Sequence, residues 1–362
     1  MVWDDASRML VRGVNPYANW RDMPNAYPYL PVFLYMLLPL QGLALHTALP
    51  FTLLGKLPVV IADLVVGATL YRWLLNAGRP SRVGVAAACL YLFNPLVLYN
   101  GAFLGRFDAV ALAFLLPALM ADGPRFAILY GLAVATKTFP IFILPALLLG
   151  RYRRAPRELV GTLAVVLVIA LPFLLWDPHA LFYNLTVRAA NVVPVPLGLS
   201  WHAVLRPLLS PALYTDLLYV FLLLFVGAVV LWRDQPPLTL CALTFSAFLL
   251  IDHKVWEQYL TWPLPFLIAL ALLRRDLRAG LLAVGLSLAA FFDNYQGPGM
   301  EPAGRRFHIY MRLLPHPTVT VNVLLALGIV LYIVLAWRLP QRPGEQAELR
   351  ALRRTPPRRD SR

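Results

Sequence analysis

Long apolar stretches recur along this chain, and each ends at a cluster of arginines or at a proline. Their length, roughly 17 to 25 residues, is that of a helix that crosses the hydrocarbon core of a bilayer, about 30 Å thick. The 362 residues are 60% hydrophobic and 14% charged, whereas a soluble domain is roughly 25% charged. The sequence therefore predicts an all-α, polytopic transmembrane protein.

We expect about nine full crossings, although several stretches are short and need snorkelling flanks or a locally thinner bilayer. Basic residues favour the cytoplasmic side of a membrane, so the arginine-rich loops near Arg79, Arg151 and Arg275 orient the chain. The predicted crossings are Leu57–Leu75, Val83–Leu98, Ala109–Ala121, Leu159–Leu175, Leu213–Trp232, Leu238–Ile251, Leu260–Leu273, Leu281–Phe292 and Val319–Trp337.

Two further apolar stretches break this count. Pro31–His46 is expected to be a juxtamembrane or re-entrant segment, because a full crossing there would put every later basic cluster outside. Phe126–Gly150 is expected to be a helical hairpin, because Arg125 before it and the cluster at Arg151 after it both favour the cytoplasm. Lys137 would then lie at the external apex of the hairpin.

Charge divides the chain into three parts. Residues 1–54 are expected to form an external loop with a juxtamembrane helix, lacking the first transmembrane helix that would carry them out. Residues 55–338 form the transmembrane domain, and residues 339–362 a basic cytoplasmic tail. The net charge of +14 then follows from membrane orientation, so we expect membrane lipids as partners and no nucleic acid.

The first candidate site residues are Asp4 and Asp5, which this orientation places outside, next to the membrane surface. A carboxylate there could act as general base on an acceptor hydroxyl, or it could be a solvated loop acid. Arg106 and Asp108 emerge together at the ends of two apolar helices, an arrangement suited to phosphate and sugar binding. Asp108 could instead only cap the helix that follows it.

Lys137 interrupts an apolar run in the sequence GLAVATKTFPIFILP. A charge inside such a stretch is costly and marks a functional candidate, and a compact ammonium group suits a phosphate. The simpler alternative is a lysine that snorkels to the membrane interface.

Lys254, Glu257, Gln258 and Tyr259 lie between two predicted membrane helices. Aromatic rings beside polar hydrogen-bonding groups suit a sugar, although the aromatic residues could also form an ordinary interfacial belt. So many polar groups are unusual for a simple turn, and we therefore select them as candidates for binding a sugar or its phosphate.

Arg305 and Arg306 lie in the loop Asp293–Pro317, on the side where positive charge is otherwise disfavoured. They predict contact with a phosphate or pyrophosphate headgroup, with a plain surface loop as the alternative. The histidine and cysteine spacing indicates no metal cage in the protein, and assistance by Mg²⁺ or Mn²⁺ stays open.

The sequence contains no phosphate-binding glycine loop, no nucleotide-binding fingerprint, no serine-histidine-aspartate pattern and no internal repeat. An external site has no access to nucleotide sugars in the cytosol. An activated sugar would therefore have to arrive on a lipid.

Six sequence blocks then occur in a specific order: VWDDASRMLVRGVNPY, YPYLP, GKLPVVIADLVVGATLYRWLL, LFNPL, ATKTFPIFILP and KVWEQYLTWPLPFL. Together they resemble the polytopic GT-C mannosyltransferases, in particular the family of the catalytic subunit of the first mannosyltransferase of GPI-anchor synthesis and its prokaryotic relatives. The resemblance runs from about Val2 to Phe266, and no single block would suffice for it.

The resemblance implies transfer of a hexose, typically mannose, from a polyprenyl-phosphate donor to a lipid-linked or glycan acceptor on the external face, with inversion. In such families the base is an acid in the first external loop, often within an Asp-x-Asp pair. That pair would fall just before Val2, and Asp5 corresponds to an acid slightly after it. Whether Asp4, Asp5 or an upstream residue is the base therefore stays open, and Arg106 stands where many relatives carry glutamine.

Two other functions compete with a hexosyltransferase of the plasma membrane. A transporter or flippase of lipid-linked sugars would line its pathway with charges, but such proteins often have inverted repeats, and the charges here gather on one face. A catalytically inactive subunit is the third reading, which a missing base would favour.

Overall fold

The computed structural model describes residues 2–18, 27–187, 196–289 and 317–337. Within these ranges the chain is mostly helical, and the one element of β structure is a parallel pair of two-residue strands, β1 (Leu197–Gly198) and β2 (Lys254–Val255). The predicted all-α class is therefore confirmed.

The described residues form helices of very different lengths. In chain order they are α1 (Val2–Val11), α2 (Val32–His46), α3 (Phe51–Leu54), α4 (Leu57–Asn76), α5 (Ser81–Leu92), α6 (Pro95–Leu98), α7 (Asp108–Leu119), α8 (Gly123–Thr136), α9 (Leu144–Leu149), α10 (Pro156–Trp176) and α11 (Pro178–Phe182). Those that follow are α12 (His202–Leu205), α13 (Pro211–Leu231), α14 (Pro237–Ile251), α15 (Leu264–Arg274), α16 (Leu277–Ala289) and α17 (Pro317–Trp337). Short π-helical turns lie at Tyr99–Phe103 and Tyr183–Val187, and 3-10 turns at Phe139–Ile143, Arg206–Leu208 and Glu257–Thr261.

Proline marks the start of many of these helices. At the first helical position a proline lacks only an N–H that has no partner within the helix, and its fixed φ suits the helix. Side-chain caps add to this before three of these prolines. Asp177 accepts a hydrogen bond from the Ala180 N–H at 2.9 Å, Ser210 one from the Leu213 N–H at 3.3 Å, and Asn94 one from the Leu96 N–H at 2.9 Å. The helices that begin at proline are α6, α10, α11, α13, α14 and α17.

Among the residues that the structure describes, three helical stretches are long and apolar enough to cross a membrane. They are Phe51–Asn76, Pro156–Trp176 and Pro211–Leu231. A fourth span exists if Ser81–Leu92 and Pro95–Phe103, which are bent by 48°, cross as one. Others are shorter, such as the 12 residues of Asp108–Leu119, which extend about 18 Å against a hydrocarbon core of about 30 Å. The chain is a multi-pass membrane protein, and the predicted nine crossings are not confirmed.

The two stretches that break the crossing count fold differently, one as a continuous helix and one with a break. Pro31–His46 becomes helix α2, which has Pro39 inside it. In the stretch 126–150, α8 ends at Thr136 and Lys137 is extended, with φ −152° and ψ 147°. A 3-10 turn and α9 follow. The break at Lys137 is therefore present, while the hairpin arrangement of the two arms stays a prediction.

The chain divides into two compact units, each described by itself. Unit 1 comprises Met1–Val66, Tyr99–Ile141 and Arg154–Val193. Within it, α8 packs against α7 and α10, and α2 packs against α1, α3 and α8. Buried aromatic side chains fill its interior, including Trp3, Phe33, Phe107, Phe126, Tyr130 and Phe173.

Unit 2 comprises Gly67–Leu98, Phe142–Arg153 and Pro194–Arg362. Its α15 contacts α5, α14 and α16, and α17 packs against α14 and α16. The predicted domain boundaries at residues 55 and 339 separate external, transmembrane and cytoplasmic parts of the chain, and they stay predictions. The predicted tail, residues 339–362, lies outside the described residues.

Trp3 holds the N-terminal helix α1 within unit 1. Its ring centroid lies 6.0 Å from that of Phe51 and 6.3 Å from that of Phe33. The ring also covers Gly105, whose φ of +67° disfavours other residues. A Cβ at Gly105 would lie 3.2 Å from both the Trp3 ring and Lys56. Helix α1 therefore packs closely onto the turn at Gly105.

We predict that Gly105→Ala destabilises the protein more than Gly13→Ala does. Gly13 has a similar φ of +72°, but nothing lies within 4 Å of its would-be Cβ. Both variants incur the cost of a left-handed alanine, about 1–2 kcal/mol, whereas Gly105→Ala adds overpacking of roughly 1–3 kcal/mol. Thermal unfolding in detergent, followed by tryptophan fluorescence, measures the difference; equal decreases in Tm would show that Trp3 is not packed against this turn.

Candidate active site

A buried ion pair joins the ends of two consecutive helices in unit 1. Asp108 is the first residue of α7, and Lys137 follows the last residue of α8. Because α7 and α8 pack together after a short connection, the start of one lies near the end of the other. The Lys137 Nζ lies 2.7 Å from the Asp108 Oδ1, and the two side chains are 5% and 3% exposed.

This pair changes the interpretation of Lys137 as a snorkelling residue and of Asp108 as a helix cap. Lys137 does not snorkel, because its ammonium group is buried against a carboxylate. Asp108 lies in the first turn of α7, where a negative charge is favourable, but no side chain caps that helix. Either charge buried alone would be costly, so each side chain compensates for the burial of the other.

Aromatic rings surround the Lys137 ammonium group. Its Nζ lies 5.4 Å from the ring centroid of Tyr29 and 5.2 Å from that of Phe107, distances at which a cation is attracted to a ring face. Phe107 stacks on Phe33 at 4.3 Å, and Phe33 contacts Trp3. A continuous row of rings therefore connects Lys137 to helix α1.

Helix α1 carries the two N-terminal acids, and their surroundings differ. Asp4 accepts an ion-paired hydrogen bond from Arg8, with 3.2 Å between Nη2 and Oδ1. Asp5 is partly exposed and makes no side-chain hydrogen bond or ion pair with any residue that the structure describes. Of the two carboxylates, Asp5 is therefore the one available to accept a proton from another molecule.

Lys56 and Asp63 are two charged side chains of unit 1 that were not selected from the sequence. Lys56 donates from Nζ to the Phe103 carbonyl oxygen at 2.6 Å. Asp63 is buried and lies against Gly101. A signal for Asp63 did exist, because it is an acid within the membrane-length helix Phe51–Asn76, and such acids are functional candidates. Hydropathy averaged over a long apolar stretch changes little when one residue is an acid, so Asp63 does not stand out.

Unit 2 contains the second group of predicted residues. Lys254 lies in β2, and Glu257, Gln258 and Tyr259 belong to the 3-10 turn that follows. Glu257 and Gln258 are 4% and 6% exposed. The Tyr259 ring lies 4.4 Å from that of Trp262, and the Gln258 Oε1 has no hydrogen-bond partner among the described residues. The turn thus offers an amide oxygen beside an aromatic ring.

Asp252 precedes this turn in a loop held by Ser200, whose hydroxyl donates to the Asp252 carbonyl oxygen at 2.9 Å. Burial raises the pKa of the Asp252 carboxyl to about 6, opposed by the Lys254 N–H, which donates to its Oδ1 at 3.1 Å. Burial lowers the pKa of His253 to about 4 and also lowers the pKa of Lys254. Asp252 can therefore exchange a proton close to neutral pH.

The predicted site residues thus fall into two groups. Those of unit 1 are Asp4, Asp5, Arg106, Asp108 and Lys137, and those of unit 2 are Lys254, Glu257, Gln258 and Tyr259. Arg305 and Arg306 lie outside the described residues. Across the described ranges, no group of three or more histidine, cysteine, aspartate or glutamate side chains could hold a metal ion.

Comparison with known proteins matches residues 27–252 to glycosyltransferase family 87. This range includes Arg106, Asp108 and Lys137, begins after α1 and ends before Lys254.

Among individual relatives, the catalytic subunit of GPI alpha-1,4-mannosyltransferase I from Danio rerio is 28% identical, over 82% of this chain and 80% of the relative. GPI mannosyltransferase 1 from Gibberella zeae is 29% identical over 41% of this chain, and that from Dictyostelium discoideum is 30% identical over 39%. These two matches span only 32% and 30% of the relatives' own lengths.

The resemblance that the six sequence blocks indicated is confirmed by these relatives. Since the family match extends over more than half of its residues, the chain belongs to glycosyltransferase family 87.

Proposed function

We propose that this protein is a membrane mannosyltransferase that moves mannose from a polyprenyl-phosphate donor to a hydroxyl of a lipid-linked or glycan acceptor. Its family and the printed names of its relatives support a mannosyl transfer. The single observation that carries the proposal is the buried Asp108–Lys137 pair of unit 1, in the segment that also contains Arg106.

A lipid-borne phosphate is the ligand that best suits this pair. A lysine and an aspartate are expensive to hold among apolar helices, and such residues mark substrate sites in membrane proteins. Lys137 would contact the donor phosphate, together with Arg106, which is two residues before Asp108 and half-buried. Asp108 would keep the ammonium group charged and oriented, and would help to orient the sugar.

The proposed reaction is a direct displacement at the anomeric carbon. Asp5 removes the proton from the acceptor hydroxyl as its oxygen bonds to C1 of mannose. The bond between C1 and the phosphate oxygen breaks with its electron pair, so the polyprenyl phosphate leaves as an anion that Lys137 and Arg106 stabilise. The anomeric configuration is inverted, and the proton ends on Asp5.

For unit 2 we propose contact with saccharide. Tyr259 presents an aromatic ring of the kind on which sugar C–H faces pack, and Gln258 supplies an amide oxygen for a hydroxyl. Glu257 would accept a further hydroxyl hydrogen bond, and the Lys254 ammonium group would donate to a phosphate or sugar oxygen. Arg305 and Arg306 stay proposed as contacts to the donor phosphate.

The location of the reaction is also a proposal. The arginine-rich loops favour the cytoplasm, which would place α1 and the Asp108–Lys137 pair toward the external face of the plasma membrane. A divalent cation could assist at the phosphate, although no step above depends on one.

We predict that Asp5→Asn lowers the rate of mannosyl transfer by roughly 10²- to 10⁴-fold, because the general base is lost. Asp4→Asn is the matched control on the same helix. It removes only the ion pair with Arg8, whose side chain is 45% exposed, and such pairs contribute about 1 kcal/mol or less. The measurement is transfer of radiolabelled mannose from polyprenyl-phosphate mannose to lipid acceptors in proteoliposomes.

In that assay Asp4→Asn should stay within a few-fold of the parent protein. The reverse pattern, an inactive Asp4→Asn protein and an active Asp5→Asn protein, would assign the base to Asp4. Full activity of both variants would place the base on another residue.

A second prediction separates the structural and functional roles of the buried pair. Lys137→Met alone leaves the Asp108 carboxylate uncompensated and should cost about 3–5 kcal/mol of stability. The double variant Lys137→Met/Asp108→Leu replaces both charges by apolar groups, so its stability should return close to that of the parent. Thermal unfolding in detergent measures stability, and the proteoliposome assay measures transfer.

The double variant should be folded but inactive. If it transferred mannose at the parent rate, the pair would serve only to hold α7 and α8 together, and the proposed phosphate contact would be wrong.

A further inference from the structure

The backbone turn from Tyr99 to Arg106 is here called the 99–106 segment. Its conformation fixes the position of the Arg106 backbone, from which the side chain extends. Its first carbonyl groups accept hydrogen bonds from its last amides. The Leu104 N–H donates to Tyr99 at 2.9 Å, the Gly105 N–H to Gly101 at 2.9 Å, and the Arg106 N–H to Asn100 at 2.8 Å. Residues Tyr99–Phe103 form a π-helical turn, a conformation that is rare and occurs often at functional sites.

The side chain of Asp63 lies against this segment at Gly101. It belongs to the membrane-length helix Phe51–Asn76 and is 8% exposed. Its carboxylate approaches the backbone of Gly101 so closely that any Cβ there would collide with the Asp63 Oδ2. Only glycine at position 101 leaves room for the carboxylate, so the side chain of Asp63 and the start of the 99–106 segment are fitted to each other.

Two further contacts hold the later part of the same segment. Lys56, immediately before α4, donates to the Phe103 carbonyl oxygen at 2.6 Å. The Trp3 ring covers Gly105. The segment is therefore held at Gly101, at Phe103 and at Gly105, immediately before Arg106.

We propose that Asp63 is a positioning residue, which seats the 99–106 segment so that Arg106 meets the phosphate of the donor. The proposal deepens the transferase function and rests on it. Asp63 does not touch the reacting atoms; it acts through Gly101 and through the hydrogen bond from the Arg106 N–H to Asn100. A buried acid in an apolar helix is costly, and its close contact with Gly101 gives this acid a defined place against the segment.

The test is a double-mutant cycle between Asp63 and Arg106. Asp63→Asn keeps the shape of the side chain and removes its charge, and Gly101→Ala disturbs the same contact from the other side. Each is made alone and in an Arg106→Ala background, and kcat and KM for polyprenyl-phosphate mannose are measured in proteoliposomes. Asp276→Asn is the control, since it removes a carboxylate that pairs with Arg278 at 2.9 Å in unit 2.

We expect Asp63→Asn and Gly101→Ala to lower kcat/KM for the donor by about tenfold or more, since small misplacements near a reacting group are costly. In the Arg106→Ala background the same changes should lower it less than about twofold further, because residues that act as one unit are not additive. Asp276→Asn should leave kcat/KM unchanged. Losses that multiply in the double variants would overturn the proposal and leave Asp63 as a purely structural residue.

Binding of undecaprenyl phosphate, followed by its stabilisation of the protein against heat, separates this proposal from the proposed function. Suppose that the parent protein binds the lipid but transfers no mannose, and that the Asp63 and Arg106 variants weaken this binding non-additively. The transferase function is then wrong and the positioning role stands. If the parent transfers mannose and the Asp63 variants bind and react normally, the positioning role is wrong. If the parent neither binds nor reacts, both are wrong.

Discussion

The ion pair between Asp108 and Lys137 exists only when α7 and α8 are packed together, because each helix contributes one charge from its end. In an apolar interior neither charge is stable without the other. The pair therefore favours the one packing of α7 against α8 that brings Asp108 and Lys137 together. It also places two buried charges beside the rings of Tyr29 and Phe107.

Much of the fold could be predicted from the sequence because its signals are local. Apolar length and proline positions place helices such as Leu57–Asn76, Pro156–Trp176 and Pro211–Leu231 to within a few residues. The number of crossings could not be predicted in the same way. Several apolar stretches form helices too short to span a bilayer unaided, and hydropathy does not distinguish burial in protein from burial in lipid.

The candidate site was predictable only in part. Lys137 could be selected because a cation in an apolar run is conspicuous, but its partner is 29 residues away, and that pairing depends on how two helices meet. Asp63 was missed because one acid barely changes the apolar character of a long helix. The difference between Asp4 and Asp5 arises from a neighbour one helical turn away, Arg8, and only the placement of side chains reveals it.

Helix α1 has 10 residues, and a helix of that length is unstable by itself in water. Its acids thus acquire a defined position only after Trp3 has docked on the turn at Gly105, which in turn requires the hydrogen bonds of the segment before it. In a nascent or partly folded chain, Asp5 would have no fixed position even if Lys137 and Arg106 had already reached theirs. The order in which these parts fold would then decide when the proposed base reaches its working position.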